Sequence, residues 1–483
     1  MRRNIFAISL LIIFAILNSN QISAQAPDTI WTRNYGGTGN DWANEIIKTS
    51  DDNLLIVGSS ERHGFSQDFY FIKLDENGDT IWTRVYGEDG WESAGWVTEM
   101  NDGSYFVTGQ TSEGEGDIVF LNVDSNGGVN WQKTYGGESV EGLAAGVECM
   151  GNSYIFTGIT SSYGAGRFDA YFMRVNFNGD TLWTKTYGGP DHDLAVAIVA
   201  VDESNFLALC NFDVMGDNDP RMSLLKLDAC GDTISSISYD NLSCLGATII
   251  ETSDENYMIL ANEYDSLGHY NILLLKVDAT GDILWSNRIN ESYNTYAITI
   301  MQAADGGFVI GGSSGNSTGE NLFIAKADEN GDLVWTRTVD VFYNFGNQAI
   351  SIVQLDDNSY VIAGELQVTN MNSQAYVTRL APDRVAIDDQ GFADLPITIA
   401  LYPNYPNPFN ASTTISYELQ AQSPVTIDIY DMLGRKVAIL YNGIQSAGNH
   451  SVNWNADRYS SGVYFYKLTT GDYTESDKMM LVK

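Results

Sequence analysis

The residues able to do chemistry in this 483-residue chain are abundant in one class and scarce in the others. There are 62 acidic residues, but only 4 histidines and 4 cysteines. His63, His192 and His269 fall in three different loops, and no GxSxG, HExxH or paired Cys–His spacing accompanies them. A glycosidase needs two carboxylates at a set separation, and nothing in the sequence selects two from so many. Asp75, Asn77 and Asp79 are spaced like the opening of a calcium loop. Their equivalents drift to Asp124/Asn126/Gly128 and Asp228/Cys230/Asp232, and no closing glutamate follows. The competing reading is a capped turn. Cys149, Cys210, Cys230 and Cys244 make no disulfide framework in so long a chain. Cys210 and Cys244 share one edge of the pattern and are the pair expected if any bridge forms. These residues nominate no catalytic group, no metal and no cofactor.

The elements that must position these residues are copies of one another. LDENGDTIWTRVYG, Leu74 to Gly87, returns as VDSNGGVNWQKTYGG, VNFNGDTLWTKTYGG, LDACGDTISSISYD, VDATGDILWSNRIN and ADENGDLVWTRTVD, and APDTIWTRNYGG opens the series. The marking tryptophans, Trp31, Trp82, Trp131, Trp183, Trp285 and Trp335, are separated by 51, 49, 52, 102 and 50 residues. The long gap is two periods, with Ser235 where a tryptophan is missing, so the pattern has seven copies. Each holds four strand-like pieces rich in Val, Ile, Phe, Tyr and Thr, punctuated by Gly, Asn and Asp. Four strands per period of about 50 residues predict one blade of a β-propeller. The chain opens on a lone outer strand, Asp28–Tyr35, and the last copy lacks one. The opening strand is therefore expected to complete the last blade and close a seven-bladed ring.

Within the repeated stretch, Gly78 suits a positive-φ hairpin position, and Trp82, Arg84 and Tyr86 share one face of a strand. That face is expected to pack on the neighbouring blade and to be buried there. The turn resembles the sialidase Asp-box, with its glycine one residue off. Val277–Trp285 resembles the tryptophan-docking repeat of quinoprotein-like propellers, but is one residue shorter. Strands that alternate in direction gather the variable loops on one rim. Trp42, Trp91, Trp96, Tyr163, His63, His192 and His269 lie there, as candidates for stacking on a sugar or anchoring a protein. For Trp42 and Trp96, each placed just before an inner strand, packing between blades is the competing reading.

After residue 382 the repeat stops. Residues 383–395 read as an acidic linker, and 396–483 as a small all-β module whose strands suit an immunoglobulin-like sandwich. This module resembles the type A C-terminal sorting domain of type IX secretion substrates. The resemblance rests on Pro406, Asn407, Pro408, Phe409 and Asn410, on Asp431, Gly434 and Arg435 in IYDMLGR, and on the closing KMMLVK with Lys478 and Lys483. It implies transport across the outer membrane of a Gram-negative bacterium of the Bacteroidetes type, with the type IX machinery as partner. It further implies removal of the module, with the passenger released or anchored to surface lipopolysaccharide.

The remaining signals agree with export. Arg2 and Arg3 precede an apolar run from Ile5 to Leu17 and small residues ending at Ala24, so residues 1–24 read as a signal peptide. A formal net charge of −37 repels phosphate backbones, which argues against nucleic acid, and equally against an anionic membrane face. The chain reads as all-β: a propeller over 28–382, then the sandwich. The leading functional expectation is a secreted or surface-attached, non-enzymatic binding or adhesion module for a glycan or protein. The alternative is a secreted carbohydrate-active or quinoprotein-like enzyme.

Overall fold

The computed structural model describes residues 26–383 and 400–483, apart from 62–65, 88–89, 113–115, 215–220, 266–268, 290–293, 317–318, 340–347, 370–371, 402–403, 405, 420–422, 433–434, 446–447 and 471–472. The expected signal peptide, His63, Gly434 and nearly all of the expected linker lie outside the described residues. Every regular element among the described residues is a strand. The chain divides into two compact units between Ala386 and Ile387.

Among the described residues, the first unit contains seven four-stranded antiparallel sheets. Sheet one is Asp41–Lys48, Leu54–Glu61, Gln67–Leu74 and Thr80–Tyr86, hydrogen-bonded in chain order. Sheets two to six repeat this over 92–135, 141–187, 194–238, 244–289 and 294–339. Sheet seven takes Gln348–Gln354, Tyr360–Thr369 and Asn372–Leu380 from the end of the unit and its fourth strand, Thr29–Tyr35, from the beginning. The pairing is antiparallel, with Trp31 opposite Arg379 and Tyr35 opposite Ala375. The first strand of each sheet packs on that of the next, and that of sheet seven packs on that of sheet one.

Period-two alternation explains the stacking. Leu55, Val57, Phe69 and Phe71 point from sheet one toward Val97, Tyr105, Val107 and Leu121 of sheet two. The alternate residues Leu54, Ile56, Tyr70 and Ile72 point the other way, toward Val361 and Val377 of sheet seven. The middle strands are therefore buried on both faces, at about 1.5–3 kcal/mol per large apolar side chain. The fourth strands keep one face in solvent. Each first strand also carries a bulge at the same place, between Ala43 and Glu45 in sheet one. The second strand must approach it closely: a Cβ at Gly58 would lie 2.0 Å from the Trp42 carbonyl oxygen.

Trp42 and Trp96 stand inside first strands rather than before them, because each strand begins one or more residues earlier than its apolar run suggests. All four cysteines are free, and Cys149, Cys210 and Cys244 are buried, so no bridge joins Cys210 to Cys244.

The second unit packs a three-stranded sheet, Ala400–Leu401, Ser412–Leu419 and Gly448–Asn455, on a four-stranded one. The latter runs in the order Lys436–Gln445, Ser423–Asp431, Gly462–Thr470 and Tyr473–Leu481. Ile415, Tyr417 and Trp454 from one sheet meet Ile427, Ile429, Tyr466 and Leu468 from the other.

Candidate functional site

The repeated motif is a clamp between sheets. In the third-to-fourth-strand turn, Asp75 Oδ1 accepts the N–H groups of Asn77 and Asp79, each at 2.9 Å, and Gly78 adopts φ +78°. The fourth strand of the preceding sheet holds that turn. Trp31 Nε1 donates to the Glu76 carbonyl at 3.1 Å, and the Tyr35 hydroxyl to the Gly78 carbonyl at 2.5 Å. Trp82 and Trp183 repeat the first bond, to Ser125 and Ala229, both at 3.1 Å. Tyr135, Tyr187 and Tyr239 repeat the second, to Gly179, Gly231 and Gly281. Arg84 lies over the Trp82 ring at 5.5 Å and donates to the Asn126 carbonyl, as the shared strand face predicts. Trp82 and Trp183 are half-buried rather than buried, because the fourth strand is the outermost and solvent reaches its edge.

Sheet four lacks the tryptophan, yet its clamp is not empty. Lys226, opposite Ser235, donates to the Ala279 carbonyl at 3.3 Å, the carbonyl a tryptophan would have taken. Ile237 fills the space beside Gly281. The same third-strand position carries buried cations elsewhere. Lys73, Lys276, Lys326 and Arg379 pair with Asp51, Asp254, Asp305 and Asp357 of the first-to-second-strand turns. Burial alone would raise the Asp51 carboxyl, but Thr49, Asn53 and Lys73 together hold it well below the usual range.

On the loop rim, the carboxylates at the start of the first strands of sheets one to four are occupied structurally. Asp41 accepts the Gly37 N–H, Glu141 the Gly137 N–H and Asp193 the Gly189 N–H, so each caps the glycine pair that enters its first strand. Thr111 and Thr160 hydroxyls donate to Glu92 and Glu141. No group of three His, Cys, Asp or Glu residues among the described ones is arranged to hold a metal ion.

The candidate rim residues sit over different sheets. Trp96 is half-buried, edge-on to Tyr154 at 5.6 Å and Phe156 at 5.2 Å, and packs between sheets. Trp42 donates to Glu365, whose carboxyl burial pushes up. Trp91 is 37% exposed, and its backbone bridges to Gln67. Tyr163 is 50% exposed and stacks on Tyr171 at 6.4 Å. His192 lies 5.2 Å from Phe168, and His269 pairs with Asp265 at 3.4 Å. Tyr264, Tyr270 and Tyr296, absent from the sequence-based candidates, meet where sheets five and six adjoin. Their rings lie 4.2 and 5.1 Å apart in sequence order. The signal available was the recurrence of tyrosine in the loop NEYDSLGHYN.

Glu45 is the one acid among the residues that follow the first-strand bulges. Its Oε2 accepts the Val97 N–H at 2.7 Å, joining sheets one and two. It keeps some exposed area, but the neighbouring strands crowd it enough that burial pushes its carboxyl up to about 8, against the opposing Val97 N–H. The folded state therefore holds this proton more tightly than the unfolded chain, whose value is about 4.3. That contribution is complete below about pH 4.3 and is lost as pH rises toward 8. Glu45→Gln keeps an acceptor for Val97 and is expected to melt above the parent at pH 8, with the gap closing toward pH 4. Parallel melting curves across that range would contradict it.

In the second unit, the two ends of the sorting motif are bonded to each other. Asn407 accepts the Met480 N–H at 2.9 Å and donates to the Lys478 carbonyl at 3.4 Å. Phe409 exchanges backbone bonds with Met480 and Val482, both at 2.9 Å, and forms a parallel bridge with Leu481. The Pro406 carbonyl accepts from Asn404 and Thr413, and the Asn410 carbonyl from Ser412. The Asn407–Pro408 peptide is cis. Arg435 binds Asp431 through its backbone N–H at 3.0 Å and its guanidinium at 2.7 Å, closing a hairpin. Lys483 donates from its ammonium to the Asp457 carbonyl at 2.5 Å. Phe409 is buried against Trp454 at 5.6 Å. Phe409→Ala is expected to cost the module about 3–5 kcal/mol, read as a lower melting transition and as protease cleavage near residue 409.

Residues 404–483 match the family described as "Secretion system C-terminal sorting domain". The chain thus carries a type IX C-terminal sorting domain preceded by a repeat-rich β domain. Such a domain implies interaction with the type IX machinery, and places the protein outside the cell or on the outer surface of a Bacteroidetes-type Gram-negative bacterium. No curated protein matches the chain. A fungal alcohol oxidase of the AA5 family, in complex with copper, is similar at 13% identity over 95% of this chain and 100% of that one, with TM-score 0.49. The WD40 domain of Neurospora crassa Pan2 is similar at 9% identity over 75% and 97%, with TM-score 0.46. PorZ, a surface component of the type IX system of Porphyromonas gingivalis, is similar at 13% identity over 93% and 53%, with TM-score 0.32. At these TM-scores none of the three assigns a fold or an activity.

Proposed function

We propose that residues 28–382 form a seven-bladed β-propeller, zipped shut by the N-terminal strand, whose loop rim binds a glycan or protein partner without turnover. Residues 396–483 are its immunoglobulin-like export module, 383–395 the linker, and 1–24 a signal peptide removed on export. After sorting, the module is cleaved and the propeller is released or anchored to lipopolysaccharide. The seven four-stranded sheets, with first strands in contact around to sheet one, support the propeller. One observation carries the binding reading: rim carboxylates Asp41, Glu92, Glu141 and Asp193 are committed to loop N–H and hydroxyl groups, while the exposed large apolar side chains there, Trp91, Tyr163, Tyr264 and Tyr296, are aromatic.

A glycan and protein-interaction screen of the exported protein, run beside a hydrolase and oxidase screen, tests this. Retention of a ligand without turnover is expected. Turnover abolished by substituting one rim carboxylate, with melting unchanged, overturns it.

A further inference from the structure

We propose that Tyr264, Tyr270 and Tyr296 form a stacking site for a neutral oligosaccharide. This rests on the reading of the loop rim as a binding surface and names the ligand class it takes. Tyr264 closes the second strand of sheet five, Tyr270 opens its third, and Tyr296 stands in the first strand of sheet six.

The Tyr264 and Tyr270 rings are 4.2 Å apart, and Tyr296 stands edge-on to Tyr270 at 5.1 Å. Tyr264 is 40% and Tyr296 39% exposed. None of the three joins a buried cluster of either sheet. The clamp tyrosines Tyr35, Tyr135, Tyr187 and Tyr239 each send a hydroxyl to a backbone carbonyl of the next sheet. The hydroxyls of Tyr264 and Tyr270 instead bond to one another. This trio holds no sheets together through the clamp, and it leaves aromatic surface facing water.

The platform is set in advance. Tyr264 and Tyr270 are strand partners in register. The Tyr270 N–H donates to Asn294 Oδ1 at 2.6 Å, and the Tyr264 N–H to the Ser243 carbonyl at 2.9 Å. Tyrosine on a rigid strand loses little entropy when a ligand settles on it. The C–H face of a sugar packs on such rings, while its hydroxyls bond to polar groups at their edges.

Charge selects the class. Seven residues before their turn residues Asp75, Asp124 and Asn176, sheets one to three carry Asp68, Asp117 and Asp169, where sheet five carries Asn271. The first-strand position occupied by Asp41, Glu92, Glu141 and Asp193 is Thr295 in sheet six. The nearby Glu263 is neutralised by Arg288 at 2.6 and 2.8 Å. The sector thus has fewer carboxylates than sheets one to three, with Asp265 remaining beside Tyr264, and on a chain of net charge −37 it disfavours anionic polysaccharides. Burial pushes the Tyr270 and Tyr296 hydroxyls up, so they remain donors.

The full mature chain is titrated with cellohexaose, mannohexaose, chitohexaose and hexagalacturonate. Binding of at least one neutral hexasaccharide and none of the anionic one is expected. Tyr264→Ala and Tyr296→Ala should weaken it by about tenfold or more, with Leu182→Ala, on the exposed fourth strand of sheet three, unchanged. In the unsubstituted protein the bound sugar should protect Tyr264 and Tyr296 from nitration, a readout independent of variant folding. Absence of protection, or binding kept in both Tyr264→Ala and Tyr296→Ala, overturns the site while leaving the rim as a binding surface. Capture of a protein partner with no sugar binding does the same. No ligand of either kind overturns both readings.

Discussion

Trp335→Ala is expected to cost about 3–5 kcal/mol of folding stability, more than the same change at Trp82 or Trp183. Trp335 is 2% exposed, whereas those two are half-buried. The difference comes from where the chain ends meet. Sheet six has no ordinary turn to hold, because sheet seven's third strand leads out of the unit and its fourth strand comes from the N-terminus. Trp335 Nε1 instead donates to Asp383 Oδ1 at 2.8 Å. Lys326 pairs with the same carboxylate at 3.2 Å, and the Tyr360 hydroxyl donates to it. Arg337 reaches the Pro27 carbonyl at 2.6 Å and the Thr29 hydroxyl, and Ala26 packs on the same core. Truncating the indole therefore leaves a cavity, removes a donor from the Asp383 carboxylate and loosens the entering and leaving segments together. Chemical denaturation of Trp335→Ala beside Trp82→Ala checks this; equal losses would mean that the entering and leaving segments do not bury Trp335 in solution.

Deleting residues 28–35 should have a still larger effect, roughly 5 kcal/mol or more, since it removes a strand and a buried tryptophan at once. The deleted segment supplies the outer strand partners of Ala375–Leu380 and the Ala381 N–H bond to Asp28 at 2.8 Å. It also removes both clamp bonds to the Glu76–Gly78 turn of sheet one. The exposed edge of Asn372–Leu380 is then a template for pairing with another chain. The trimmed protein should melt far below the parent and associate in a concentration-dependent way. A monomer with parental melting would show that the zipped sheet contributes little.

The repeat and the N-terminal strand were legible because both are matters of counting: one motif spaced at regular intervals, one strand too many at the start and one too few at the end. Burial of Trp82 and Trp183 was not, because spacing does not reveal that the fourth strand faces solvent along one edge. The missing tryptophan at Ser235 was visible, and so sheet four reads as the weakest. Its compensation by Lys226 depends on register, which brings together residues nine apart in the chain. Export was legible from local motifs, although the reason PNPFN and KMMLVK occur together emerges only when Asn407 and Phe409 are seen bonded to the last strand. The tyrosine site was hidden because Tyr296 stands 26 residues beyond Tyr270 and joins it only through the stacking of two sheets.

Apart from that of sheet six, the fourth strands grip the turn of the next sheet and leave their own turn to the strand before. Restraint consequently has a sense of rotation, as in a ratchet. A lesion at Trp82 should raise amide exchange around Ser125–Gly127 rather than around Asp75–Gly78, which Trp31 and Tyr35 still hold. The soft spot would appear one station downstream of the damage.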